Sequence, residues 1–116
     1  MKDLKLSEMM AMQTALWALN SGSWAPMEPK YARDSMLWMI EEIGEAASII
    51  KKKGDAAIVG DRNVRHAFVE EMSDVLMYYF DVLLRYGITA VELSDAYCQK
   101  HDRNMGRDYV DEYAKL

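Results

Sequence analysis

Residues 36–53 read Met-Leu-Trp-Met-Ile-Glu-Glu-Ile-Gly-Glu-Ala-Ala-Ser-Ile-Ile-Lys-Lys-Lys. Three carboxylates, Glu41, Glu42 and Glu45, interrupt a run that is otherwise almost wholly apolar. At about 100° per residue, Met36, Ile40, Ile43, Ala47 and Ile50 fall on one stripe, the spacing of a core-facing helix. Glu42 and Glu45 stand three residues apart and lie roughly opposite that stripe, together with Trp38 and Ile49. A helix apolar nearly all round is buried on more than one side, so these acids are not expected to be freely solvated.

Residues 68–84 repeat the arrangement, with Glu70, Glu71 and Asp74 in Phe-Val-Glu-Glu-Met-Ser-Asp-Val-Leu-Met-Tyr-Tyr-Phe-Asp-Val-Leu-Leu. Glu71 and Asp74 again share a face, with Tyr78 one turn further on and Asp81 nearby. If the two helices pack antiparallel, Glu42, Glu45, Glu71 and Asp74 converge. Like charges brought together and removed from water need a neutralising partner. An all-carboxylate set without His or Cys suits a hard divalent ion, Mg²⁺ with Mn²⁺ as a substitute, rather than zinc. A lone Glu-x-x-Glu is ordinarily a solvated helix face; the repetition across one loop is what points to a metal site.

The chain has 116 residues, enough for a single domain over 1–116, and 51% hydrophobic with 28% charged residues is a folded composition. The net charge of −5 argues against a nucleic-acid-binding surface. It leaves a nucleotide substrate open, because metal ions supply positive charge locally. The first residues, Met-Lys-Asp-Leu-Lys-Leu-Ser-Glu, lack the features of a signal peptide. No stretch approaches the ~20 apolar residues of a membrane span. A cytoplasmic protein without membrane partners is expected. Cys98 is the one cysteine, which excludes an intrachain disulfide; it is expected to be a small buried hydrophobe.

Four helices are expected, with no strand periodicity, giving an all-α fold. The first runs from Ser7, as N-cap, to Asn20, with Met9, Met12, Leu16 and Leu19 as its stripe. A loop around Trp24-Ala-Pro-Met-Glu-Pro29 follows. Trp24 covers the core or stacks on a base. The second helix spans 30–53 and stops at Gly54, its Lys51, Lys52 and Lys53 complementing the negative helix end. Residues 54–61 are read as a connection. The third helix spans 62–86, with Gly87 as its left-handed cap. Thr89 and Glu92 form a capping-box pattern that starts a fourth helix reaching about Asn104. Gly106 interrupts it, and the tail to Leu116 is short and polar, with Tyr109 and Tyr113 as docking points. The second and third helices are too apolar for a small monomer: Met77, Phe80 and Leu84 call for a second covering surface, supplied by a homodimer or a dimer of dimers.

Glu42-Ile-Gly-Glu45 followed by Glu71-Met-Ser-Asp74 resembles the ExxE…ExxD signature of the MazG-like all-α nucleoside triphosphate pyrophosphohydrolases. The resemblance extends through Asp74-Val-Leu-Met-Tyr78 and Gly87-Ile88 to Lys100-x-x-x-Asn104-x-x-Arg107-x-Tyr109. It covers roughly residues 36–109. Tyr78 and the Lys-Asn-Arg pattern are most similar to the dCTP-pyrophosphatase-like branch. The resemblance implies a four-helix bundle completed by homo-oligomerisation. It also implies Mg²⁺-dependent hydrolysis of a (deoxy)nucleoside triphosphate to the monophosphate and pyrophosphate. Glu42, Glu45, Glu71 and Asp74 would then hold the metal, and Glu41 a further ion or the attacking water. Lys100 and Arg107 would meet the phosphates, Asn104 the sugar or a phosphate, and Trp38 and Tyr78 the base. On the residues alone, Glu41 serves equally well as a surface acid, and Trp38 and Tyr78 read as core aromatics.

Two alternatives share these features. Phosphoribosyl-ATP pyrophosphohydrolase has the same fold and metal acids. A non-catalytic helical dimerisation module would use the acids only as a solvated or salt-bridged surface. A di-iron carboxylate bundle is set aside, because it needs Glu-x-x-His and neither His66 nor His101 follows a Glu by three. Both histidines read as surface or capping residues.

Overall fold

Two long helices form the body of the molecule. The computed structural model describes residues 2–116, and among these it is all helical. In chain order the elements are α1 (Leu6–Leu19), a 3₁₀ turn (Pro29–Tyr31), α2 (Ala32–Lys53), α3 (Asp55–Gly60), α4 (Arg62–Arg85), α5 (Ala90–Met105) and α6 (Tyr109–Ala114).

The helix ends follow local chemistry. Gly54 takes φ 85° directly after the three lysines, a left-handed conformation that ends α2 at little steric cost. Gly87 does the same after α4 with φ 70°. The Asp61 carboxylate caps α4 by accepting from the backbone N–H groups of Asn63 and Val64 at 3.0 and 3.2 Å. The Thr89 hydroxyl accepts from the Glu92 N–H at 3.2 Å and starts α5 as its spacing predicts.

Three expectations about elements need correction. The N-cap of α1 is Lys5, not Ser7; the Glu8 side chain reaches back to accept from the Lys5 N–H at 2.9 Å. Residues 54–61 are not a plain connection, because Asp55–Gly60 coil into the short helix α3. The tail is not merely polar chain: Asp108 caps the short helix α6 by accepting from the Asp111 N–H at 3.0 Å.

The face that α2 turns to α4 differs from its most apolar stripe. Ser35 and Ala46 are buried, Ala32 before them is buried too, and Met39, Glu42 and Ile49 are half-buried. Small side chains here let the two backbones approach. The stripe of Met36, Ile40, Ile43, Ala47 and Ile50 looks outward instead, with Ile40 56% and Ile43 47% exposed. On α4, Phe80 and Val82 belong to the core while Met72, Leu76 and Met77 are exposed. Phe80 therefore needs no second covering surface. The first helix is similarly rotated: Met10 and Gln13 are buried, whereas Met12, Leu16 and Leu19 are exposed. Apolar residues are spread around α1, so the sequence offers two competing stripes and packing selects the one containing Gln13. Cys98 is exposed on α5, contrary to expectation, because α5 packs against α1 alone and buries no residue fully.

The chain is more open than its length requires. Its Cα radius of gyration is 17.5 Å, against about 13 Å for a compact domain of this size. Its accessible surface is 9019 Å², against roughly 6,500 Å² for a compact monomer of this mass. Among the described residues, no helix is long and apolar enough to cross a membrane.

Candidate functional site

α2 and α4 run antiparallel: Ser35, early in α2, meets Asp81, late in α4, and Glu42, one heptad on, meets Asp74 and Glu71. Carboxylate oxygens of Glu42, Glu71 and Asp74 lie within 4.8 Å of one another. None of the three is fully buried, and none forms an ion pair within the described chain. Partial burial raises the Glu42 carboxyl above its ordinary range, and so do a hydrogen bond with Glu71 and the charges of Asp74, Glu71 and Glu45.

Glu45 stands outside this group of three and is exposed, although its charge is felt at Glu42. Glu41 is exposed and acts electrostatically on Tyr78. The Tyr78 phenol is raised by burial and then by the charges of Glu42, Asp74, Asp81 and Glu41. Glu70 turns to solvent, where His66 Nε2 pairs with it at 2.8 Å. His66 and His101 are both exposed, as surface histidines should be.

Beside the acids lies a pocket of about 540 Å³, within the range of small-molecule sites. Trp38 and Tyr78 line it together with Trp24, Tyr31, Gln13 and Asp34, and Asp74 belongs to both the pocket and the acid group. The aromatic pair is thus brought beside the acids. Trp24 lines this pocket while remaining partly exposed.

The pocket wall is held by a buried network that sequence reasoning missed. Asp81 and Arg85 are only 5% and 6% exposed. Arg85 Nε donates to Asp81 Oδ2 at 2.7 Å, and the Ser35 hydroxyl donates to the same oxygen. Arg85 Nη1 donates to the carbonyls of Pro26 and Ala25, and Trp17 Nε1 donates to the Ala25 carbonyl at 2.8 Å. The loop that carries Trp24 is therefore fixed from two sides. The i,i+4 spacing of Asp81 and Arg85 was a visible signal; the burial that gives the pair its weight was not.

Lys100, Asn104 and Arg107 are not brought to the acids within one chain. Lys100 and Asn104 ride on α5 and Arg107 follows it, whereas the acids sit between α2 and α4. Arg107 is held by Glu112, with Nε 2.9 Å and Nη2 2.9 Å from Oε2, and its guanidinium lies 4.6 Å from the Tyr109 ring centroid. Comparison with family models, curated proteins and solved structures finds no match for this chain.

Proposed function

We propose that the protein is a Mg²⁺-dependent nucleoside triphosphate pyrophosphohydrolase of MazG-like type, active as a homo-oligomer. The observation that carries this reading is the group of three carboxylates on facing helices, without a paired cation among the described residues and open to an aromatic pocket. The donor set fits a hard divalent ion: all oxygen, all anionic, and close enough for one ion to be shared. Glu42, Glu71 and Asp74 would hold it, with Glu45 available from the next turn of α2. A bound Mg²⁺ supplies charge neutralisation, polarises phosphoryl oxygens and lowers the pKa of water.

The chain's own residues do the rest. Glu41, beside the ligands, orients the water that attacks the α-phosphorus as pyrophosphate leaves. Trp38 and Tyr78 hold the base in the pocket, which leaves the triphosphate over Asp74 and its neighbours. Lys100 and Arg107 offset the charge of the leaving group. Because α5 does not approach the acids of its own chain, these cations reach them from a second copy, and Arg107 exchanges Glu112 for phosphate.

The outer face of α2 supports assembly. Roughly 2,500 Å² of accessible surface beyond that of a compact monomer matches the area an obligate interface removes. Leu37, Ile40 and Ile43, with Met72 and Leu76 on α4, are among the exposed apolar residues. Sedimentation should give a dimer or a dimer of dimers.

The test is to incubate the purified protein with Mg²⁺ and a panel of ribo- and deoxyribonucleoside triphosphates and to assay pyrophosphate. Release from a triphosphate is expected. Cleavage of phosphoribosyl-ATP alone would move the protein to that alternative. No turnover, with no Mg²⁺-dependent thermal shift, would leave a helical dimerisation module.

A further inference from the structure

The pocket beside the acids attracts positive charge from its walls as well as from its rim. Trp24, Tyr31, Trp38 and Tyr78 line it, and Asp34 and Asp74 open on it. Arg85 is the single cation among its described lining residues, and it is spent on Asp81 and on the carbonyls of Ala25 and Pro26. Asp34 and Asp74 form no ion pair among the described residues. Aromatic faces attract cations through the ring quadrupole. One of these rings already does so: Lys30 Nζ lies 5.1 Å from the Tyr31 centroid. Lys30 is exposed and does not line the pocket, so its charge leaves both carboxylates unanswered.

The acids stand at two ends with the rings between them. On α2, Trp38 lies one turn after Asp34 and one turn before Glu42. On α4, Tyr78 lies one turn after Asp74, which meets Glu42 across the antiparallel pair. Asp34 and Glu42 are eight residues apart, about 12 Å along the helix axis. A single metal ion among Glu42, Glu71 and Asp74 answers one end and leaves Asp34. An aliphatic chain with an ammonium at each end answers both. Its charged ends donate hydrogen bonds to carboxylates, and its methylenes lie along the ring faces.

We infer that this pocket binds a linear polyamine. One terminal ammonium sits at Asp34, the methylenes run past Trp38 and Tyr78, and the other terminus reaches the group of Glu42, Glu71 and Asp74. The inference rests on the charge and shape of the pocket and goes beyond the hydrolase reading. The two meet at shared surfaces: the ammonium and Mg²⁺ claim the same carboxylates, and the methylenes and a base claim the same rings. A polyamine therefore excludes the metal–nucleotide complex and inhibits any hydrolysis that depends on it.

The experiment is isothermal titration calorimetry of the full chain in EDTA, at neutral pH and fixed low ionic strength, with spermidine and with the shorter diamine putrescine. Metal and nucleotide are absent, so the result is independent of turnover. Spermidine should saturate one site per chain and bind about tenfold more tightly than putrescine, which is too short to reach both ends. Asp34→Asn should weaken spermidine about tenfold and erase most of its advantage over putrescine. Unsaturable binding, or equal affinity for the two amines, would be the general attraction of an acidic chain and overturns the inference even if the variant fails to fold. Unchanged spermidine affinity in folded Asp34→Asn overturns it too. A chain that binds spermidine through Asp34 and hydrolyses nothing sustains this inference and removes the enzymatic one; a chain that releases pyrophosphate and ignores spermidine does the reverse.

Discussion

The α2–α4 interface contains two acidic layers one heptad apart, about 10 Å along the axes. They solve the same electrostatic problem in opposite ways. At Ser35 and Asp81 the carboxylate is buried and fully answered: Arg85 supplies the charge, and Ser35 a second hydrogen bond. At Glu42, Glu71 and Asp74 the carboxylates face one another with no cation of the described residues among them. The first layer is complete without a ligand and serves as a structural pin. The second is tolerable only when protonated, hydrated or holding a cation from outside. Nearness of acids alone would not separate the two; what separates them is the Arg85 that one layer has and the other lacks.

That contrast breaks most sharply at the open layer. Glu42→Gln or Asp74→Asn should reduce pyrophosphate release a thousandfold or more, about 4 kcal/mol in barrier terms, with the helical circular dichroism spectrum retained. Wild-type rates in either variant would reject the assigned site.

At the closed layer the effect should fall on stability. Arg85→Met leaves Asp81 buried without its partner and should cost about 3 kcal/mol. A thermal melt in EDTA should show a midpoint lower by roughly 10 °C. The same substitution frees the loop carbonyls of Ala25 and Pro26, so nucleotide binding should weaken as well. A melt within 2 °C of wild type, on the order of half a kcal/mol, would mean the pin carries little.

A smaller effect sharpens the comparison through pH. Glu42 has a folded-state pKa raised above its unfolded value. The folded state therefore binds more protons over that window, and stability falls as pH rises from the ordinary carboxylate range through the raised value. Metal-free protein should melt lower as pH increases through this window. Glu42→Gln should flatten the decline, and added Mg²⁺ should stabilise the neutral-pH protein. A metal-free melting profile that rises across the window would contradict the crowding of the three acids.

The smallest expected change lies outside both layers. Lys100→Ala should lower kcat/KM about tenfold, the loss of one charge-assisted phosphate contact, with little change in melting temperature because Lys100 is exposed. An unaltered kcat/KM would remove α5 from the phosphate site.

How far the sequence could be read depends on the kind of question asked of it. The helices themselves were legible, because glycine, Asp61 and Thr89 act on their own neighbours within a few residues. The pairing of Glu42 with Glu71 and Asp74 was legible too, since two equally spaced acid pairs across a short connection have few ways to meet. The inward face of α2 was not. Counting apolar residues selects Ile40 and Ile43, yet α4 packs on the side of Ser35 and Ala46. The large residues are left outward, with Ile40 and Ile43 exposed. Gln13 escaped notice for the same reason: an amide among methionines carries no period that marks it as enclosed.

Sequence alone determined the all-helical chain, its main stops and the acidic positions that repeat, because those features arise from contacts a turn or two apart. Tertiary structure decided which faces meet, which carboxylate receives Arg85 and which group of three is left open. Those outcomes depend on residues brought together from opposite ends of antiparallel helices, where packing distance and loss of water set the cost of a charge.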